Sequence, residues 1–281
     1  VPQKETGLPM VFLHGYGQSR TGWMATPDGK PGWADFFLRH GHSVYLIDEP
    51  RRGEAGATGK AGTMTTTPSD QTWYTQFRIG TYKNGAFTYN KDSKFPKGEA
   101  ALNQFFRQMT PDTGMDNAAG EQAIDTDVVA KAVAAAIDEI YDRTGKKSIL
   151  VTHSQGGGPG WETVRYTPHV AAIVAIEPGG AAAPGSAAYK AMAEQKIPVT
   201  FYYGDYIGND LPDIPAAAMW QRMAETADTF TAAYEKEGLT STVVHLPKLG
   251  IKGNSHFMFE EANRDEIAEL LEKWLQTYAA K

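Results

Sequence analysis

The sequence predicts an α/β doubly wound domain, a mostly parallel sheet with helices on its faces, and three observations carry that expectation. Several apolar, β-rich runs end in clusters of small or polar residues, as buried parallel strands do when their carboxyl ends hold function. Other segments carry apolar residues at offsets of three and four, the period of a helix that packs one stripe against a sheet. The two patterns alternate to the end of the chain.

Taken in order, the first strand is Met10-Val11-Phe12-Leu13, running into His14-Gly15, and the second is Ser43-Val44-Tyr45-Leu46-Ile47, running into Asp48. Residues 53–120 break the rhythm. Residues 54–70 are rich in Gly, Ala and Thr and read as a long surface loop, and Trp73, Phe77, Phe87, Phe95, Phe105 and Phe106 crowd the stretch that follows. Aromatic side chains at that density need a surface to cover. Residues 54–120 are therefore expected to be a cap-like insertion within one domain spanning 1–281, with a small core of its own, rings that line a pocket over the sheet, or both.

The rhythm resumes at Asp127, placed to cap a helix with Val129, Val133, Ile137 and Ile140 on its apolar face and Gly145 as its stop. Ser148-Ile149-Leu150-Val151 then runs into Thr152-His153-Ser154. Further strands are expected over residues 170–176, ending in Glu177, over 197–203, ending in Gly204-Asp205, and over 242–246. Ile267, Leu270, Leu271, Trp274, Leu275 and Tyr278 place a helix at the end of the chain.

Composition removes several function classes. With 41% hydrophobic and 21% charged residues the chain folds rather than staying disordered, and no apolar run is long enough to span a bilayer. A net charge of −6 with scattered Lys and Arg leaves no footprint for a phosphate backbone, so no nucleic acid partner is expected. The absence of cysteine removes disulfides, thiolate nucleophiles and sulfur-ligated metals. No His pair shows ligand spacing with a carboxylate on a helix, so neither a metal nor a cofactor is expected. The start, Val1-Pro2-Gln3-Lys4, carries neither Met nor a leader and reads as a mature secreted form or a trimmed chain; a secreted or periplasmic location is expected, a cytoplasmic one otherwise.

The chemistry concentrates in Thr152-His153-Ser154-Gln155-Gly156, where a strand ends and a Gly-rich helix begins, the context of a nucleophile elbow. The bland alternative is a helix-capping Ser after a strand. Gly156 and Gly157 supply the small residues the sharp turn needs, while Thr152 stands where Gly is usual. A serine hydroxyl needs a base to take its proton. Of the seven histidines, His14, His40, His42, His153, His169 and His245 sit in motifs, turns or strands, whereas His256 lies in the turn-rich loop after the last strand. The sheet's carboxyl edge would bring that loop back over Ser154. Two carboxylates compete for the third role, Asp205 in the usual chain position and Glu177 at the end of the next strand, and spacing leaves them even. The oxyanion donors are expected to be the backbone N–H groups of Gln155 and of Tyr16, in the His14-Gly15-Tyr16-Gly17 turn.

These residues resemble the α/β-hydrolase superfamily, and within it the bacterial secreted serine esterases with a Ser-His-Glu triad. The likeness runs over most of the chain, through Leu13-His14-Gly15, Gly22-Trp23-Met24, Arg52-Gly53, His153-Ser154-Gln155, Glu177-Pro178-Gly179, Gly204-Asp205 and Gly253-Asn254-Ser255-His256. It implies an α/β-hydrolase fold with Ser154, His256 and Glu177 as the triad and Asp205 as a supporting residue. The chain departs from that group at Tyr16-Gly17, where a cysteine pair can stand, and in the short stretch of about nine residues before the first strand. The expected activity is hydrolysis of a small carboxylic ester with an apolar or aromatic group, and a homodimer is compatible with it. A lactonase, amidase or acyltransferase would use the same triad, and a non-catalytic hydrolase-like binding protein is the reading from another class.

Overall fold

Six apolar runs pair side by side because each carries hydrophobic residues on both faces and must be covered on both. The computed structural model describes residues 1–57, 63–115 and 126–279. In chain order its elements are β1 (Met10–Leu13), α1 (Trp33–Arg39), β2 (Val44–Ile47), β3 (Thr63–Thr65), α2 (Asp70–Gln76), β4 (Gly80–Lys83), β5 (Ala86–Tyr89), α3 (Glu99–Arg107) and β6 (Asp112–Met115). The second half adds α4 (Thr126–Thr144), β7 (Ser148–His153), α5 (Gly157–Thr163), β8 (Val170–Ile176), α6 (Ala187–Glu194), β9 (Val199–Tyr203), α7 (Ala217–Lys236), β10 (Ser241–His245) and α8 (Arg264–Tyr278).

The central sheet has the order β10-β9-β8-β7-β1-β2, and every pairing in it is parallel. β7 and β9 are buried along their whole length, whereas β2, on one edge, is half-buried throughout. Alternate residues feed opposite cores, as the two-residue period of a strand requires. Val11, Leu13, Leu150, Ile173 and Phe201 face the helices α4 to α7, while Met10, Phe12, Ile149, Val151 and Val174 face α1 and α8.

The aromatic stretch does not stand apart. Trp73, Phe77, Phe95 and Phe105 pack in the same cluster as Phe12, Trp23 and Ile176, so their rings continue the core of one sheet face and form no separate one. The chain between β2 and α4 also contains two small antiparallel sheets, β3 with β6 and β4 with β5. Part of the stretch read as loop is thus a strand, because the β-branched Thr63 and Thr65 find a partner far along the chain. Residues 58–62 of that loop and the end of the expected insertion, 116–120, lie outside the described residues. At α4 the helix starts at Thr126, which puts Asp127 inside the first turn rather than at the cap, ion-paired with Lys131. No helix among the described residues is long and apolar enough to cross a membrane.

One feature of this topology fixes where chemistry can gather. The chain runs from β1 outward to β2, then crosses to β7 on the other side of β1 and continues outward through β8, β9 and β10. Neighbouring loops at the β1/β7 boundary therefore leave in opposite directions and open a crevice at the carboxyl ends of these two strands.

Candidate active site

Ser154 sits at that boundary, directly after β7, with φ of 55°, in the left-handed region that non-glycine residues rarely adopt. A short 3₁₀ turn, Ser154–Gly156, leads into α5, so strand and helix reverse across the serine. The turn after β1 lies against it. A Cβ on Gly15 would fall 2.7 Å from Ser154 Cβ, and one on Gly156 only 2.3 Å from the His14 carbonyl oxygen, so this contact admits glycine alone on both sides. The structure thereby brings together Tyr16 and Gln155, the two residues assigned as oxyanion donors.

Thr152, the departure from the elbow pattern, has its explanation one layer down. A Cβ on Gly160 of α5 would lie 2.6 Å from Thr152 Cγ2, so the extra bulk on the strand is matched by missing bulk on the helix. Gly160→Ala is expected to destabilise the fold by roughly 1–3 kcal/mol through overpacking, and by clearly less when Thr152→Ala removes the opposing methyl. Denaturant titrations of the two single variants and the double variant measure that coupling; equal cost of Gly160→Ala in both backgrounds would refute it.

The His14-Gly15 turn is held from several directions. His14 Nδ1 donates to the Gly15 carbonyl (2.9 Å) and its Nε2 accepts from the Glu49 N–H (3.0 Å), the pattern of a neutral ring. Burial pushes the His14 pKa down to about 4, which agrees with that tautomer. Gln18 Oε1 accepts from the Gly15 N–H (3.3 Å) and lies 2.7 Å from His153 Nδ1. The buried Arg52 donates to Gln155 Oε1 (2.8 Å) and to the Gly15 carbonyl (3.4 Å). Tyr16 is partly exposed, and its ring lies 5.6 Å from the Arg52 guanidinium and 6.4 Å from Trp73.

Glu177 ends β8, next to the serine's strand, also with a left-handed φ of 47°. It is fully buried. Its Oε2 lies 3.3 Å from His256 Nδ1, while Oε1 accepts from the Gly204 N–H (2.5 Å) and from Arg78 Nη2 (2.7 Å). Asp205 takes a different part. Its Oδ2 accepts from the Gly253 N–H (2.9 Å), its Oδ1 from the Tyr206 N–H (2.7 Å), and its own N–H donates to the Asn254 carbonyl (2.7 Å). The two carboxylates that spacing left even are thus separated by geometry: Glu177 meets the imidazole, and Asp205 ties down the loop that carries it.

His256 is enclosed on all sides. Phe77 stacks nearly flat on it (4.7 Å, 13°), Trp220 lies 4.2 Å away and His153 4.4 Å away, centroid to centroid. The His256 carbonyl accepts from His153 Nε2 (3.0 Å), which joins the base loop to the residue before Ser154. His256 Nε2 is buried and has no hydrogen-bond partner among the described residues, so the Ser154 hydroxyl is not bonded to it in this state. Burial, then the Arg78 guanidinium, push the His256 imidazole well below the ordinary histidine range.

Sequence reasoning missed Arg78 and Trp220, and it placed Phe77 only among the aromatic residues of the expected cap. No local signal marks Arg78 beyond a charge set in an aromatic-rich stretch, since the contact that gives it meaning spans 99 positions of the chain.

A parallel sheet whose strand order reverses at β1/β7, a strained serine on the strand-to-helix turn and a Glu–His pair at the same carboxyl edge are the features of an α/β-hydrolase fold. No protein-family model matches the chain. In sequence it is similar to the probable secreted lipase phiG of a fungal species, 30% identical over an alignment 340 positions long that covers 98% of this chain and 84% of that one. In structure it is similar to a novel bacterial esterase, with a TM-score of 0.80 and 25% identity over 100% of this chain and 84% of that one. It shares its fold with a dienelactone hydrolase from Anabaena variabilis, with a TM-score of 0.51 and 19% identity over 99% and 89% of the two chains. The chain belongs to the α/β-hydrolase superfamily, in the family of the secreted lipase.

Proposed function

We propose that the chain is a serine hydrolase that cleaves carboxylic esters through an acyl-enzyme on Ser154. As substrate binds, the Ser154 hydroxyl turns to His256 Nε2, which takes its proton while the oxygen attacks the ester carbonyl. Glu177 holds His256 Nδ1–H and stabilises the imidazolium, and the backbone N–H groups of Tyr16 and Gln155 bind the oxyanion. His256 then protonates the leaving alcohol, and water cleaves the acyl-enzyme by the same steps. The observation that carries this reading is the buried Glu177–His256 pair, its Nε2 unbonded among the described residues and its ring packed on His153, the residue before a serine in a strained turn. The aromatic residues between β2 and α4, with Trp73 beside Tyr16, favour an ester with an apolar or aromatic group and a cap-like role for that segment. The lipase relative favours secretion.

Labelling by a fluorophosphonate, with the adduct mapped to Ser154, tests the assignment; a folded protein that takes up no label would sink it. The depressed His256 keeps the base neutral in mild acid, so the acid limb of kcat/KM is expected to have its midpoint below the ordinary histidine value of 6.5. A midpoint at or above that pH would contradict the assignment of this imidazole as the base.

A further inference from the structure

We propose that Arg78 is a positioning residue for this reaction, a buried cation that the chain between β2 and α4 delivers to the back of the Glu177–His256 pair. The inference rests on the hydrolase reading of that pair. Arg78 is fully buried, and its backbone is left-handed (φ 61°) in the turn between α2 and β4. Its Nη2 donates to Glu177 Oε1 (2.7 Å), its Nε donates to the Asp205 carbonyl (3.1 Å), and its guanidinium lies 5.0 Å from the Trp220 ring, which in turn packs on His256. Its neighbour Phe77 stacks on the His256 ring, and the Phe77 carbonyl accepts from the His256 N–H (3.2 Å). Two consecutive residues therefore grip both members of the pair, one by charge and one by a ring.

Packing alone does not account for this. Burying a guanidinium is unfavourable unless it is paired, and an apolar side chain of similar volume would fill the space without that cost. Arg78 Nη1 has no partner among the described residues, so the site does not satisfy this side chain completely even as it places Nη2 on the carboxylate. Holding Oε1 leaves Oε2 directed to His256, so the carboxylate cannot swing away from the imidazole. The remaining groups around the pair do other work. His153 of β7 bonds the His256 carbonyl, Tyr203 of β9 sits in the field of both Glu177 and Arg78, and His245 at the end of β10 in that of Glu177. Asp205 and Glu261 accept from the N–H groups of Gly253 and Ser255 in the loop itself.

The sign follows. A cation beside Glu177 opposes protonation of His256, so removing it favours the imidazolium in the free enzyme and raises the pH at which the base is lost. With p-nitrophenyl acetate, kcat/KM is measured between about pH 4 and 9 for the parent, Arg78→Met and Arg78→Lys. Arg78→Met is expected to move the acid-limb midpoint upward by about half a unit or more and to lower kcat about 10- to 100-fold. Arg78→Lys, which keeps the charge but not the fork, is expected to keep the midpoint within about 0.2 units and recover part of kcat. A parental midpoint in Arg78→Met, or the same shift in both variants, overturns the proposal. Should Arg78→Met fail to fold, Arg78→Lys alone decides: an unchanged midpoint together with a kcat lowered several-fold supports the role, and a parental kcat or a midpoint shift of about half a unit refutes it. A parent that cleaves no ester and takes no fluorophosphonate overturns the hydrolase reading, whereas an active parent with an invariant midpoint overturns only the part given to Arg78.

Discussion

Ser154→Ala is expected to lower kcat for a p-nitrophenyl ester by about 10⁴-fold or more and to abolish fluorophosphonate labelling. The size follows from the role. On the proposed mechanism no acyl-enzyme forms without the hydroxyl, and what remains is the proposed oxyanion site acting on water, which supplies only a small part of the acceleration. The fold should survive. Ser154 lies at the surface of the crevice with 8% exposure, and the backbone contacts that hold the elbow, such as the Gly179 N–H to the Ser154 carbonyl, do not involve its side chain. Alanine meets the same left-handed backbone, so the change in stability should stay within about 1 kcal/mol, a few degrees in Tm for a chain of this size. Turnover within tenfold of the parent in a folded variant would remove Ser154 from the mechanism.

The strands of the central sheet and the small or polar residues at their carboxyl ends were legible because they depend on local pattern. Apolar runs such as Met10-Val11-Phe12-Leu13 and the six residues of β7 need covering on both faces, which limits them to the inside of a parallel sheet. The turns that hold Ser154 and His256 were legible for a related reason: the residues that free a backbone for a sharp turn, Gly156 after the serine and Gly253 before the histidine, sit within a few positions of them. The acid was harder. Glu177 and Asp205 both follow strands, and what separates them is which carboxylate reaches the imidazole, a matter of side-chain direction across three loops. Arg78 was not legible at all. Its meaning lies in a pairing 99 positions away along the chain, and within its own stretch the aromatic residues point only to burial.

The same logic accounts for the aromatic segment. A stretch dense in Trp and Phe demands a surface, but sequence does not say which. Here the rings of Trp73, Phe77 and Phe105 meet Phe257, the residue after His256, so the segment packs on the loop that holds the base. Part of the burial of the imidazole, which depresses its proton affinity, comes from this packing, with Phe77 stacked on the ring. The aromatic segment and the loop that carries His256 are in that sense one unit.

Glu177→Gln should cost far more activity than Asp205→Asn, and the hydrogen bonds say why. Glu177 accepts at both oxygens, from Arg78 and Gly204 on one and from His256 Nδ1 on the other. An amide accepts at one end and donates at the other. With its oxygen kept on the two N–H donors, its NH₂ group faces Nδ1 and selects the tautomer with the proton on Nε2, the nitrogen that must receive the serine proton. The alternative orientation restores the tautomer but sets an NH₂ group against the guanidinium of Arg78. Either way kcat/KM is expected to fall about 10³- to 10⁴-fold. Stability should fall as well, by roughly 3 kcal/mol or more, because the buried Arg78 loses its carboxylate partner. Asp205→Asn keeps an oxygen for the Gly253 N–H, loses the charge on that bond and turns its NH₂ group toward the Tyr206 N–H, so the loop carrying His256 loosens and activity should drop about tenfold or less. Kinetics of both variants at one pH, beside their urea midpoints, make the comparison. A loss confined to Asp205→Asn would hand the acid's role to Asp205 and leave Glu177 as the partner of a structural arginine.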